Sequence, residues 1–225
     1  MASHLDLEEQ EQLDQLKAFW KQYGNIVSWV LVLVLGAYAA WNGWNLYQRD
    51  QGAKAGALYD EIERAAQSVD AERATRIFAD MQSRYPRATF THQAGLIAAR
   101  VESEKGQYDA AKASLAWVAE HSSDDGLAAI ARLRLAGLLL DTTKYDDALK
   151  QLDEIKSPEF VALAADRRGD VLLAQGKSAD AQAAYLKAWT AMDSKLDYRR
   201  LVEAKLNLFG VQPSASAASG AEAAR

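Results

Sequence analysis

Catalysis needs a nucleophile, a proton carrier or a metal held at a defined spacing, and this sequence supplies few side chains of those kinds. Cysteine is absent, which removes thiolate nucleophiles, thiolate zinc sites and disulfides together. The three histidines are His4, His92 and His121, too far apart for any two to share a helix face as metal ligands. No carboxylate is placed by position to orient either of the last two. His92, near a helix start, and His121, near a helix end, therefore read as surface or turn residues rather than as general acid–base groups. Glycine-rich phosphate loops, nucleophile elbows and Walker-type lysines do not occur. Carboxylates are plentiful, but Asp60, Glu61 and Glu63 read as solvated helix faces. These residues lead us to expect no enzyme, no cofactor, no metal and no small-molecule substrate. The mild net charge of −5 argues against nucleic acid, which selects clustered Lys and Arg. What remains for the polar residues is recognition of other proteins.

The elements that would position them are helical. Only three prolines interrupt 225 residues. Residues 22–48 carry no charge, and their centre from Ile26 to Trp41 is apolar but for Ser28. About 20 apolar residues cross a hydrocarbon core as a helix, so the stretch suffices. Trp20 and Tyr23 flank it on one side, Trp41, Trp44 and Tyr47 on the other, where amphipathic rings favour the headgroup zone. A cleaved signal peptide is the competing reading, since Ala37-Tyr38-Ala39 resembles a cleavage site. Against it stand the acidic residues before the stretch (Asp6, Glu8, Glu9, Glu11, Asp14) and the tryptophans after it. The flanking cations tie at two on each side (Lys17 and Lys21, Arg49 and Lys54), so charge does not set orientation. In the N-terminal tail, Leu5, Leu13, Leu16, Phe19 and Trp20 are spaced as in a short amphipathic helix leading into the bilayer.

Beyond residue 49 the sequence repeats. Residues 70–78, 107–115, 144–152 and 177–185 align so that an alanine (Ala74, Ala111, Ala148, Ala181) precedes a large side chain (Phe78, Leu115, Leu152, Tyr185) by four. The alanines recur at intervals of 37, 37 and 33 residues. A spacing of four puts both on one helix face, the small residue admitting a neighbouring helix and the large one filling the space beside it. Another helical segment precedes each pattern, with Gly106, Thr142-Thr143 and Gly176 as breakers. Gly169 and Ala136 are the small residues expected at close crossings of these first helices. Pro86 stops the first unit's second helix. Ser157-Pro158 reads as an N-cap with proline at the first helical position, and Ser122 with Asp125 as a capping box. Antiparallel pairs with a period near 34 are the pattern of tetratricopeptide repeats. The expected fold is all-α: one transmembrane helix, then a tetratricopeptide-like α-solenoid of about four helix pairs, closed by a last helix over 197–208. The expected domains are a tail (1–21), a transmembrane helix (22–48), the repeat domain (49–209) and a disordered tail (210–225).

In such solenoids the first helix of each pair lines the concave surface, where extended segments bind. The candidate partner-binding residues there are Gln93, Arg100, Glu104, Asp141, Asp166 and Asp170, interleaved with Leu96, Leu133 and Leu173. The alternative is that these faces are solvated and partners dock on the convex side or an edge.

The acidic tail, the Lys21-Gln-Tyr-Gly-Asn25 start of the membrane helix, Arg49 after it and the degenerate repeats together resemble the ancillary SecYEG translocon subunit (YfgM) family, over nearly the whole chain. The resemblance implies a single-pass protein of the cell inner membrane, its N-terminus cytoplasmic and its repeat domain periplasmic. It implies the SecYEG translocon, a membrane-anchored periplasmic chaperone and exported client proteins as partners, beside the lipid bilayer. It carries over no catalytic residue. A generic tetratricopeptide adaptor in another cell-envelope assembly is the alternative function.

Overall fold

Alanine spaced against large apolar residues calls for close helix packing, and that is how the chain folds. The computed structural model describes residues 7–213, so His4, Leu5 and residues 214–225 of the expected tail lie outside the described residues. Among those described the chain forms nine α-helices and no strand: α1 (Leu7–Gln67), α2 (Ala71–Arg84), α3 (Thr89–Glu104), α4 (Tyr108–His121), α5 (Asp125–Asp141), α6 (Tyr145–Asp153), α7 (Val161–Ala174), α8 (Ser178–Ala191) and α9 (Tyr198–Asn207). They divide into two units, one ending at Gln51 and the other beginning at Gly52.

In the first unit, α1 exposes what other helices bury. Trp29, Leu33, Tyr38 and Trp41 are 64–69% exposed. Burying one such side chain is worth about 1.5–3 kcal/mol, so a run of them left open to water is a large unused driving force. The helix is long and apolar enough to cross a bilayer, and its backbone bonds are satisfied within it, as a hydrocarbon environment demands. The tail segment with Leu13, Leu16, Phe19 and Trp20 is part of the same helix.

In the second unit the repeat pattern is the core. Ala74, Ala111, Ala148 and Ala181 are all fully buried, and Phe78, Leu115, Leu152 and Tyr185 nearly so. Residues 52–67 supply the first helix of the first pair: Ala55, Ile62 and Ala65 share one core with α2 to α6. The pairs are then α3/α4, α5/α6 and α7/α8. Small residues mark the closest approaches. A Cβ added at Gly169 would stand 2.4 Å from the Tyr185 ring, and one at Gly95 would stand 2.4 Å from Val118. A second cluster, with Ala181, Tyr185 and Ala188, is covered by Val202 and Leu206 of α9. The final helix thus closes the stack, as an end repeat must.

The breakers share one geometry. Val69, Gly106, Thr143 and Gly176 all have positive φ, between 51° and 77°. The next residue's N–H bonds the carbonyl five back: Asp70 to Ala65, Gln107 to Glu102, Lys144 to Leu139 and Lys177 to Leu172. This is the Schellman closure, which satisfies carbonyls the helix end leaves open.

Two helix starts differ from expectation. The cap of α5 is Asp124, whose carboxylate accepts the Leu127 N–H at 2.9 Å, while Ser122 forms a local turn with Asp124. Asp124 lies three residues before Leu127, the reach a cap requires; Ser122 lies too far back. The helix α7 begins at Val161 rather than Pro158. Ser157 accepts the Phe160 N–H in a separate turn, which takes up the residues expected to open the helix.

Candidate interaction groove

The faces of α3 and α5 that the core leaves uncovered bound a cavity of about 550 Å³. The spacing in α5 explains its contribution: Leu133 and Arg134, then Gly137 and Leu138, then Asp141 come round on one face at each turn. The α3 wall presents Arg100, Ser103 and Glu104, Leu115 of α4 forms part of the lining, and Arg167 of α7 joins it. A neighbouring cavity of about 490 Å³ shares Arg100 and Glu104 and continues to Glu63 and Gln67.

Three cations meet here. Arg100 pairs with Glu104 at 3.4 Å, both ends partly in solvent, so the pair contributes at most about 1 kcal/mol. Arg167 lies 3.5 Å from Asp170. Arg134 donates from Nη1 to the Leu96 carbonyl at 3.2 Å. Its pKa is lowered, first by desolvation and second by the neighbouring Arg100.

The expected partner-binding residues do not all come together. Arg100, Glu104 and Asp141 line the cavity together. Gln93 is half-buried nearer the start of α3. Asp166 and Asp170 face the end of the stack instead. Asp166 is 1% exposed and accepts from Lys205 Nζ at 2.8 and 2.9 Å and from the Tyr198 hydroxyl at 2.8 Å. Asp170 accepts from Lys205 Nζ at 2.7 Å and from the Tyr185 hydroxyl at 2.8 Å. Burial, then the bond to its aspartate, pushes each phenol pKa up, that of Tyr198 to about 12. Both remain neutral donors. Asp166 is therefore a structural anchor for α9, not an open recognition group. Of the expected leucines, Leu133 lines the cavity, Leu96 is buried and Leu173 is exposed.

His92 corrects another expectation. It is 2% exposed, with Nε2 3.1 Å from the Pro86 carbonyl; a carbonyl only accepts, so that nitrogen carries the proton. Trp117 lies beside it, and His121 stacks on Trp117 at 4.6 Å between centroids. Helix α4 places Trp117 and His121 four apart, and α3 brings His92 to them, which no sequence spacing announces. Glu102 is likewise buried, accepting from Thr75 at 2.7 Å and Ser114 at 2.9 Å. Among the described residues no group of three or more His, Asp or Glu could hold a metal ion.

Paired helices with a closing helix and an open groove define a tetratricopeptide repeat-like protein, and the family profile described as tetratricopeptide repeat-like domain matches residues 17–211. The ancillary SecYEG translocon subunit of Neisseria gonorrhoeae is 33% identical over 92% of this chain and 99% of its own length. The proteins of that name from Haemophilus influenzae (30% identical, 89% and 97% covered) and Escherichia coli (29% identical, 88% and 95% covered) align over nearly as much. The chain belongs to the ancillary SecYEG translocon subunit family. That membership and the one helix among the described residues that is long and apolar enough to cross a bilayer fit a protein of the inner membrane.

Proposed function

We propose that this chain is a non-enzymatic, membrane-anchored scaffold that associates with the SecYEG translocon and holds a periplasmic chaperone and newly exported proteins beside it. The observation that carries the reading is the pairing, in one chain, of an uncovered apolar helix with a repeat groove in a sequence aligned to translocon subunits along their full length. Anchoring restricts the groove to the membrane surface, which raises its effective concentration near emerging chains without any new contact. Arg100, Glu104 and Asp141 are the groove residues we assign to partner contact. The N-terminal tail is cytoplasmic and the repeats periplasmic in this reading.

Full-length tagged protein extracted from membranes in mild detergent should co-purify with translocon subunits and a membrane-anchored chaperone, above the level of an unrelated single-pass protein. Recovery of a different envelope assembly in their place would favour a general adaptor. Recovery of neither would refute the proposal.

A further inference from the structure

Gly137 lies in the interior of α5, where glycine costs about 1 kcal/mol relative to alanine. Packing does not require it: a Cβ built there meets nothing within 4 Å, whereas at Gly95 and Gly169 it would collide with neighbouring side chains. Nor does the backbone require it, since its φ is not positive. The position opens onto the α3–α5 cavity, between Arg134 one turn before and Asp141 one turn after. Glycine here leaves bare helix backbone at the groove floor, which lets another chain approach closely. Arg134 supplies the second observation. Among the described residues its one hydrogen-bond partner is the Leu96 carbonyl; the side chain is exposed, so the rest of its five-donor fork faces solvent, where a ligand can reach it. Partial desolvation, then crowding by Arg100, disfavours its charge, and an incoming carboxylate would offset both by pairing with it.

We propose that the α3–α5 cavity binds an extended acidic peptide segment, its backbone against Gly137 and a carboxylate on the Arg134 guanidinium. The planar fork matches a carboxylate in two parallel hydrogen bonds. Leu115, Leu133 and Leu138 line the same cavity and accept alternate apolar side chains of an extended strand. Asp141 and Glu104 repel the ligand's acidic groups on one side, which fixes its direction. The inference deepens the groove assignment above and rests on it.

The test uses the full-length chain in detergent micelles and three fluorescein-labelled hexapeptides of alternating leucine and glutamate, glutamine or lysine, followed by anisotropy. The glutamate peptide should bind at least about tenfold more tightly than the glutamine peptide, and the lysine peptide most weakly. Arg134→Met should bring glutamate-peptide affinity down to the glutamine level, and Arg64→Met, on an exposed face of α1, should leave it unchanged. Gly137→Leu should abolish binding while raising the thermal midpoint, a combination that a purely structural glycine does not produce. Equal affinity for the glutamate and glutamine peptides, preference for lysine, no binding of the glutamate peptide, or wild-type binding by Gly137→Leu would each overturn the inference. If the peptide pattern fails while wild-type protein still co-purifies with translocon subunits, the scaffold reading stands without this inference. If the pattern holds without co-purification, the scaffold reading alone falls.

Discussion

Lys205 bridges two carboxylates with a single ammonium, within 2.9 Å of Asp166 and Asp170. Its side chain is 22% exposed and that of Asp166 only 2%, so losing the cation strands a buried charge. Lys205→Met, which keeps the stem, should destabilise the full chain in detergent by about 2–3 kcal/mol in denaturant unfolding. An unchanged midpoint would mean the cluster contributes no net stability. His92 makes a different kind of prediction. Burial holds its pKa below the ordinary value, the Pro86 carbonyl opposes this, and His121 and Asp124 act in opposite directions. As pH falls, the unfolded chain takes up the proton first, near its ordinary pKa of about 6.5. Stability is therefore complete above that value and is lost as pH falls toward the lower folded pKa. Denaturant midpoints measured from about pH 7.5 to 5 should decline in the wild type and decline less in His92→Gln; parallel profiles would count against this role. None of these partnerships could be read from position. Asp166 and Lys205 lie 39 residues apart, and their approach depends on how α9 docks. The same holds for His92, which becomes buried only when α4 delivers Trp117.

Helix pairs, by contrast, were legible because small-to-large spacing repeats in register, and every member of that pattern is buried. The left-handed turn is legible where glycine occupies it and obscure where Val69 or Thr143 does, since nothing in a β-branched residue suggests positive φ. Thr143 is exposed, so its conformational cost is not repaid by packing. Thr143→Gly should stabilise by about 0.5–1 kcal/mol, and Gly106→Thr should destabilise by about 1–2 kcal/mol. Thermal unfolding of both variants decides it; a loss of stability in Thr143→Gly would show that the threonine side chain matters in the turn. Cap placement was less legible. Serines and aspartates fill 122–125, and serine and proline occupy 157–158; which of them caps depends on where the previous helix releases the chain. Within the groove, Arg100, Glu104 and Asp141 could be found from periodicity alone. Gly137 and Arg134 were missed, although a mid-helix glycine with no turn to make is a readable signal.

At the scale of the molecule, one unit is a helix with its apolar side chains uncovered and the other a stack with its apolar side chains enclosed. Those opposite solutions to the hydrophobic effect require different surroundings, lipid for the first and water for the second. The stack's own asymmetry follows the same logic: α9 shields its last pair, and the α3–α5 face stays open. What the stack can bind therefore depends on where it is delivered, a question on which the flanking Lys17, Lys21, Arg49 and Lys54 are silent. A reporter enzyme that becomes active only outside the cytoplasm, fused after Arg225 of the full-length chain, tests this directly. Reporter activity that sediments with the membrane fraction and resists salt and carbonate extraction is the expected result. Activity confined to a cytoplasmic reporter at the same position, or a fusion released into the soluble fraction, would contradict it.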